Sequence, residues 1–323
     1  MYKNILKIIS TDRISGRSAH SAFTDLCEFN GRLICCYRQA TNHVSGDGYL
    51  EIARFSADNR VVERQKIVEI NYDLRDPKMS IGPDGKIWLT AFARKHASES
   101  GHRSTTMMSW FSSDGISWSS KHEFGPSHWW LWRVRWHNSQ AFSLAYNRAL
   151  DRLDLYSGHP GKQMFLQTPH ALSKAKHNLG YPNESDLLFD EDGSLWALVR
   201  RDADTFTAQL GFAKAPYRRW QWKDLGEYIG GPVMHRLSSE HALVAGRVWT
   251  GKQVYTQVWL LHLPSAKLLP LIRLPSGGDN SYPGMVIKGD VLYLSYYSAH
   301  IDGQPRVYLA TLTGINTLLN IIK

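Results

Sequence analysis

Residues 29–38 have the sequence FNGRLICCYR, a turn at Gly31 followed by an apolar run that ends on Arg38. The same shape recurs in PDGKIWLTAFAR, HNSQAFSLAYN, EDGSLWALVRR, SEHALVAGRVW and KGDVLYLSYYS. A turn that leads into a mostly apolar or alternating run is typical of the second strand of a β-hairpin. Successive turns are 54, 54, 54, 46 and 50 residues apart, and they lie near Gly31, Gly85, Ser139, Gly193, Ser239 and Gly289.

A strand-like segment precedes each of these turns. The six segments are HSAFTDL, RDPKMSI, WRVRWHN, NESDLLF, GPVMHRL and SYPGMVI. Six hairpins with a period of about 50 residues match the four-stranded blades of a propeller. The sequence therefore predicts an all-β fold, a six-bladed β-propeller that takes residues 1–323 as a single domain.

The composition limits the classes of partner that the protein is expected to bind. The net charge is +9, but the lysines and arginines are scattered and form no run of five. This argues against a nucleic-acid partner and favours a local anionic ligand. Three cysteines, Cys27, Cys35 and Cys36, make no even-numbered disulfide framework and are typical of a reducing compartment. We see no signal peptide and no apolar window long enough to span a bilayer, so we predict a cytoplasmic protein without a membrane partner.

Arginines recur at equivalent places in the blades. Residues that enter the first strands and leave the second strands of a propeller converge on one face of its channel. A guanidinium group in such a place is paired with a carboxylate or offered to an anion. Two histidines near the same face lack metal-ligand spacing, so we expect hydrogen bonding there, with no metal and no cofactor. The predicted substrate-binding residues are His20, Arg38, His43, Arg75, Arg133, Arg200 and Arg247.

Glu184 and Tyr282 are the candidates for chemistry. A tyrosine hydroxyl has a pKa near 10, so it becomes a useful nucleophile only beside a base. Glu184, Arg200, Arg247 and Tyr282 follow one another with gaps of 16, 47 and 35 residues. In this order and with similar gaps the chain resembles the sialidase (exo-α-sialidase, neuraminidase-like) superfamily, over nearly its whole length.

Further segments carry the same resemblance. SSDGISW, residues 112–118, is similar to a shortened Asp-box, a structural turn of sialidases. The blocks HSAFTDL, LRDPKMSI, LWRVRW, PNESD and LPSGGDNSYPG look like a bacterial sialidase-like subgroup. One position departs from the pattern. The family's first carboxylate-binding arginine opens the first inner strand, where this chain has Ala22. Arg38, Arg75 and Arg133 are the candidates to replace it.

The resemblance implies a mechanism. Tyr282 would attack the anomeric carbon with Glu184 as its base, as in glycosidases that use a tyrosine nucleophile. Asp47 in NHVSGDG occupies the place of the family's acid/base, and Arg200 and Arg247 would hold a carboxylate. The expected function is a retaining exo-glycosidase acting on a small-molecule or oligosaccharide substrate with an anionic sugar, sialic, nonulosonic or uronic. The alternatives are a carbohydrate-binding propeller without catalysis and a uronate lyase, because a fold does not fix an activity.

Overall fold

The computed structural model describes residues 5–16, 18–96 and 104–322. Within them the chain forms six antiparallel sheets, five with four strands and one with five. The innermost strands of neighbouring sheets contact one another, and that of the first sheet contacts those of the second and the sixth, so the sheets close a ring. The predicted six-bladed β-propeller is confirmed. We number the blades one to six in chain order.

Blades one to three occupy the first half of the chain, preceded by one strand that belongs to blade six. In each, the strand nearest the channel comes first and the outermost comes last, except that a broken inner strand gives blade three two short pieces. The first strand is β1 (Lys7–Arg13), and blade one consists of β2 (His20–Phe29), β3 (Arg32–Ala40), β4 (Tyr49–Phe55) and β5 (Val61–Ile67). Blade two consists of β6 (Tyr72–Ile81), β7 (Ile87–Lys95), β8 (Thr105–Ser112) and β9 (His122–Phe124). Blade three consists of β10 (Trp130–Leu131), β11 (Arg135–His137), β12 (Gln140–Asn147), β13 (Arg152–Gly158) and β14 (Met164–Ser173).

Blades four to six follow the same plan. A single turn of helix, α1 (Lys174–His177), leads into them, and α2 (Ile315–Ile322) ends the described chain. Blade four consists of β15 (Pro182–Phe189), β16 (Leu195–Arg201), β17 (Gln209–Ala213) and β18 (Gln221–Asp224). Blade five consists of β19 (Gly230–Arg236), β20 (His241–Trp249), β21 (Val254–His262) and β22 (Lys267–Arg273). Blade six contains β23 (Asn280–Lys288), β24 (Val291–Ser298) and β25 (Arg306–Thr313).

All six turns predicted from the sequence join the first and second strands of a blade. Gly31, Gly85, Gly193 and Gly289 have φ between 60° and 79°, a region that glycine adopts without steric cost. The shortened Asp-box joins β8 to β9. There the Asp114 carboxylate accepts hydrogen bonds from the amides of Ile116 (2.7 Å) and Ser117 (2.8 Å), which supports the structural role predicted for it.

Ring closure comes from the amino-terminal strand. β1 pairs antiparallel with β25 and completes blade six. After β25 the chain forms α2, whose Ile315 and Leu318 are buried in the core between blades five and six. All three cysteines are free thiols. No helix in the described part of the chain has the length and apolar character needed to cross a bilayer.

A β-bulge marks the start of the inner strand in five blades of the described chain. At each bulge two residues of the inner strand face one residue of the second strand, which bends the strand and redirects a side chain. The bulges lie between Ala22 and Asp25, Arg75 and Lys78, Pro182 and Ser185, Gly230 and Val233, and Ser281 and Gly284.

Candidate active site

The starts of the inner strands and the ends of the second strands meet around a cleft of about 340 Å³ on one face of the ring. This volume lies at the lower end of the range of about 300–1,000 Å³ found for small-molecule sites. The predicted site residues that line it are His43, Arg75, Glu184, Arg200 and Tyr282. The other predicted site residues, all of them in the described part of the chain, lie outside this lining: His20, Arg38, Asp47, Arg133 and Arg247.

Tyr282 and Glu184 are in direct contact on the wall of the cleft. The Tyr282 hydroxyl donates to Glu184 Oε1 at 2.7 Å and accepts from Arg200 Nη1 at 2.9 Å. Both residues are buried. Burial, followed by the charge of Glu184, raises the pKa of Tyr282 well above its usual value, against the opposing effect of Arg200 and Arg247. The phenol therefore keeps its proton until an acceptor takes it, and Glu184 is placed to be that acceptor.

The backbone of Tyr282 is held in a conformation that is rare for an aromatic residue. Its φ is 51°, within the bulge of β23. The ring packs on Gly231 of blade five, where an added Cβ would lie 2.7 Å from Tyr282 Cγ. Gly231 itself has a φ of 57°. The bulge turns the Tyr282 side chain toward the cleft, and the missing side chain of Gly231 leaves room for the ring.

Replacing Gly231 with alanine is expected to lower turnover by about 10²-fold, because a displacement of the Tyr282 ring by about 1 Å moves its hydroxyl from the reacting position. Turnover of a fluorogenic glycoside, together with thermal unfolding, measures the effect. Gly251→Ala is the matched control, since Gly251 also has a positive φ (82°) but no atom within 4 Å of an added Cβ. Equal turnover in the two variants would show that contact with the ring does not matter.

Arg200 is held by two carboxylates. Its guanidinium lies 2.6 Å from Glu184 Oε2 and 2.8 Å from Asp202 Oδ2. It also lies over the ring of Tyr228, 5.4 Å from the centroid. Arg200 thus orients Glu184 and donates a hydrogen bond to the Tyr282 hydroxyl from the side of the cleft.

Arg247 belongs to a second tyrosine–carboxylate–arginine group behind the first. Arg247 Nη2 donates to the Tyr297 hydroxyl at 2.9 Å, and Tyr297 donates to Asp279 Oδ1 at 2.8 Å. Arg247 also donates to the carbonyl of Asn280, and it lies 5.2 Å from the centroid of the Tyr282 ring. Its Nε and Nη2 groups are used within the protein, so the geometry supports a role in positioning Tyr282.

Three arginines share the carboxylate of Asp73, whose side chain is fully buried. Arg38 contacts Asp73 Oδ1 at 2.9 Å, while Arg75 and Arg94 contact Oδ2 at 3.3 and 3.0 Å. Arg38 has no exposed surface and also binds the carbonyls of Asn42 and Ser45, so it fixes the loop after β3. Arg75 and Arg94 line the cleft. One negative charge among three positive ones leaves this side of the cleft electropositive.

Arg133 lies away from the cleft, within the channel. It donates to Asp25 Oδ1 at 2.8 Å and to the carbonyls of Pro232 at 3.2 Å and Pro283 at 2.7 Å, and it is 4% exposed. These partners belong to blades one, five and six, whereas Arg133 comes from blade three. Arg133 therefore ties four blades together, and the geometry gives no support to its predicted contact with substrate.

Asp47 is engaged on its own loop. Its carboxylate accepts hydrogen bonds from the Thr41 amide at 3.2 and 3.1 Å and from the Thr41 hydroxyl. Although partial burial opposes it, hydrogen bonding from Ser45 and Thr41 lowers the pKa of Asp47 to about 2. The structure does not bring Asp47 to the Glu184–Tyr282 pair.

His20 and His43 meet at one carboxylate oxygen. Asp279 Oδ2 lies 2.7 Å from His43 Nδ1 and 3.3 Å from His20 Nε2. These residue types ligate divalent metals, and in the described chain this trio is the group with a spacing that could hold one. The same distances satisfy ordinary hydrogen bonds, as expected from the sequence.

The structure adds residues that the sequence reasoning did not select for the site. Asp76, Arg94, Trp130, Tyr146 and Arg148 all line the cleft. A signal for Asp76 was present, because it comes nine residues before the turn glycine of its blade, as Glu184 does. Equal offsets from the turn place residues at equal heights in neighbouring blades.

No family model matches the chain, and no curated protein matches its sequence. Solved structures do match. A protein of unknown function from Dyadobacter fermentans has a TM-score of 0.82 and 16% identity, covering 96% of this chain and 99% of that one. The Trypanosoma rangeli sialidase in complex with the inhibitor DANA has a TM-score of 0.70 and 10% identity, covering 98% of this chain and 60% of that one. The chain has a sialidase-like propeller fold.

The same fold is shared with other glycosidases. A Penicillium chrysogenum α-L-arabinanase complexed with arabinobiose has a TM-score of 0.70 and 12% identity, covering 95% of this chain and 98% of that one. Identities this low establish the fold alone. The activity has to be argued from the site, and membership of the bacterial sialidase-like subgroup stays a prediction.

Proposed function

We propose that this protein is a retaining exo-glycosidase that acts on an anionic sugar, with Tyr282 as nucleophile and Glu184 as its base. The observation that carries the proposal is the 2.7 Å hydrogen bond from the Tyr282 hydroxyl to Glu184 on the wall of the cleft. In the first step the Tyr282 oxygen bonds to the anomeric carbon and its proton passes to Glu184. In the second step water replaces the tyrosine oxygen, which takes the proton back.

A tyrosine nucleophile suits a negatively charged sugar. A carboxylate nucleophile would repel a substrate that carries its own carboxylate near the anomeric carbon, whereas a neutral phenol does not. Charge on the opposite side of the cleft favours the same substrate. Arg75 and Arg94 share Asp73 with Arg38, and the exposed Arg148 lies 5.0 Å from the centroid of the Tyr181 ring. These arginines differ from Arg200 and Arg247, which the family resemblance implies as the carboxylate ligands.

Aromatic side chains supply a surface for a sugar ring. Trp130 lines the cleft and stacks on Phe92, with ring centroids 3.8 Å apart and planes 4° from parallel. Tyr146 continues the stack at 5.4 Å from Trp130. All three side chains line the cleft, and aromatic surface of this kind can pack against the C–H groups of a pyranose. This arrangement supports an oligosaccharide partner.

Covalent trapping tests the proposal. Fluorinated glycosyl fluorides of sialic, legionaminic-type and uronic acids slow the second step more than the first, so the glycosyl-enzyme accumulates. We expect one of them to inactivate the protein and to add its sugar mass to the peptide that contains Tyr282. A modified Glu184 would instead show a two-carboxylate mechanism. An unsaturated product from a uronic acid polymer would show a lyase.

Binding without catalysis is the second candidate function. One observation favours it. Ala22 replaces the expected arginine, and Nε and Nη2 of Arg247 are occupied by Tyr297, Asp279 and the Asn280 carbonyl, so the carboxylate clamp implied by the family resemblance is incomplete. Saturable binding of an anionic sugar, with no adduct and no product from any probe, would establish this function.

A further inference from the structure

Asp76 is a buried carboxylate that faces the cleft without a full set of partners. It lies in the bulge of β6, with a φ of 49°, and is 5% exposed. Its Oδ1 atom has no hydrogen-bond partner. Buried polar atoms are nearly always paired, so an incompletely paired carboxylate on a residue that lines the cleft points to a ligand that completes it. A glycosidic oxygen or an attacking water would do so.

Burial, more than the surrounding charges, favours a proton on Asp76. Burial is the main influence and, with Glu184 from β15, raises the pKa of Asp76 to about 6, against Arg75 and Lys78 on its own strand and Arg38 from β3. Glu184, in contrast, is paired with the Arg200 guanidinium at 2.6 Å. Two carboxyl groups in one cleft whose surroundings differ in this way can act one as the acid and the other as the base.

We propose that Asp76 is the general acid/base of this site, in the role that the sequence suggests for Asp47. The inference rests on the proposed function. In the first step the proton of Asp76 moves to the leaving-group oxygen as the anomeric C–O bond breaks and the bond to Tyr282 forms. In the second step the Asp76 carboxylate takes a proton from water as the water oxygen bonds to the anomeric carbon and the tyrosine bond breaks. The net reaction is hydrolysis, and Asp76 ends it protonated.

Leaving-group dependence of Asp76→Asn tests this role. We expect turnover of an alkyl glycoside to fall by about 10³-fold, as is usual when an acid/base group is lost. The first step with a dinitrophenyl glycoside or a glycosyl fluoride should change far less, because such groups depart without a proton. With these activated substrates azide should restore turnover of the variant and yield the glycosyl azide, since azide attacks the glycosyl-enzyme without needing a base. Asp76→Ala with azide repeats the test should the asparagine variant fold poorly.

The pH profile gives an independent readout. An acid that must start protonated makes activity fall as the pH rises through its pKa, so kcat/KM of the wild-type protein should decline above a pH of about 6. With an alkyl glycoside, whose leaving group needs the proton, the wild type should show that decline and Asp76→Asn should not. Asp47→Asn is the matched comparison, and its leaving-group dependence and azide response should equal those of the wild type.

The two proposals fail separately. If a fluorinated sugar labels Tyr282 while Asp76→Asn keeps the leaving-group dependence of the wild type and does not respond to azide, Asp76 is not the acid and the proposed function stands. If Asp47→Asn shows the azide rescue instead, the acid is Asp47. If the wild type neither turns over nor is labelled by any probe, both proposals fall.

Discussion

Replacing Tyr282 with phenylalanine is expected to lower turnover by at least about 10³-fold while leaving ligand binding within a few-fold of the wild type. The substitution removes the nucleophilic oxygen and keeps the ring. The ring holds its place through edge contacts with Phe23 and Trp132, at 5.3 and 5.6 Å between centroids, and through Arg247 over its face. Steady-state turnover with a fluorogenic glycoside and calorimetric titration with its product measure the two effects.

Tyr297→Phe is a close control for this experiment. Tyr297 also donates to a carboxylate, Asp279 at 2.8 Å, and accepts from an arginine, Arg247 at 2.9 Å. It lies outside the lining of the cleft and is fully buried. Losing its hydroxyl, which bonds to two charged groups, should cost about 1.5–3 kcal/mol of folding free energy and change turnover much less than Tyr282→Phe does. If both variants lose turnover equally, the Tyr282 hydroxyl acts through structure and is not the nucleophile.

The repeat can be predicted from the sequence because its turn-and-strand pattern involves residues close together in the chain. In each blade the first strand is followed by a turn, such as those at Gly31 and Gly85, that leads into an apolar second strand, and this pattern is complete within a dozen residues. Ring closure has no such signal. β1 is mostly exposed or half-buried, and only its distant pairing with β25 makes it a strand.

The site was predictable only in part, for a similar reason. Glu184 and Tyr282 were chosen from their positions in two inner strands, and the structure brings them together. What each arginine does depends on the nearest carboxylate in space, which periodicity does not reveal. Arg38 meets Asp73 and Arg247 meets Asp279, and neither partner was considered from the sequence. The unpaired oxygen of Asp76 is equally a property of its surroundings.

Replacing Arg133 with methionine is expected to lower the free energy of unfolding by about 3–5 kcal/mol, the usual cost of removing one partner of a buried ion pair. Asp25 would lose its 2.8 Å contact while still buried, and the carbonyls of Pro232 and Pro283 would lose their donor. Urea unfolding followed by tryptophan fluorescence measures the change.

Asp25→Asn in the Arg133→Met background separates a lost ion pair from lost packing. The asparagine is uncharged, and its side-chain oxygen can still accept from the Met79 amide, the 2.8 Å hydrogen bond that Asp25 makes now. If the cost of Arg133→Met comes from an uncompensated carboxylate, the double variant should be more stable than Arg133→Met alone. The outcome also decides between two roles for Arg133. A structural tie changes stability and leaves KM nearly constant, whereas an arginine that binds substrate would raise KM with little loss of stability.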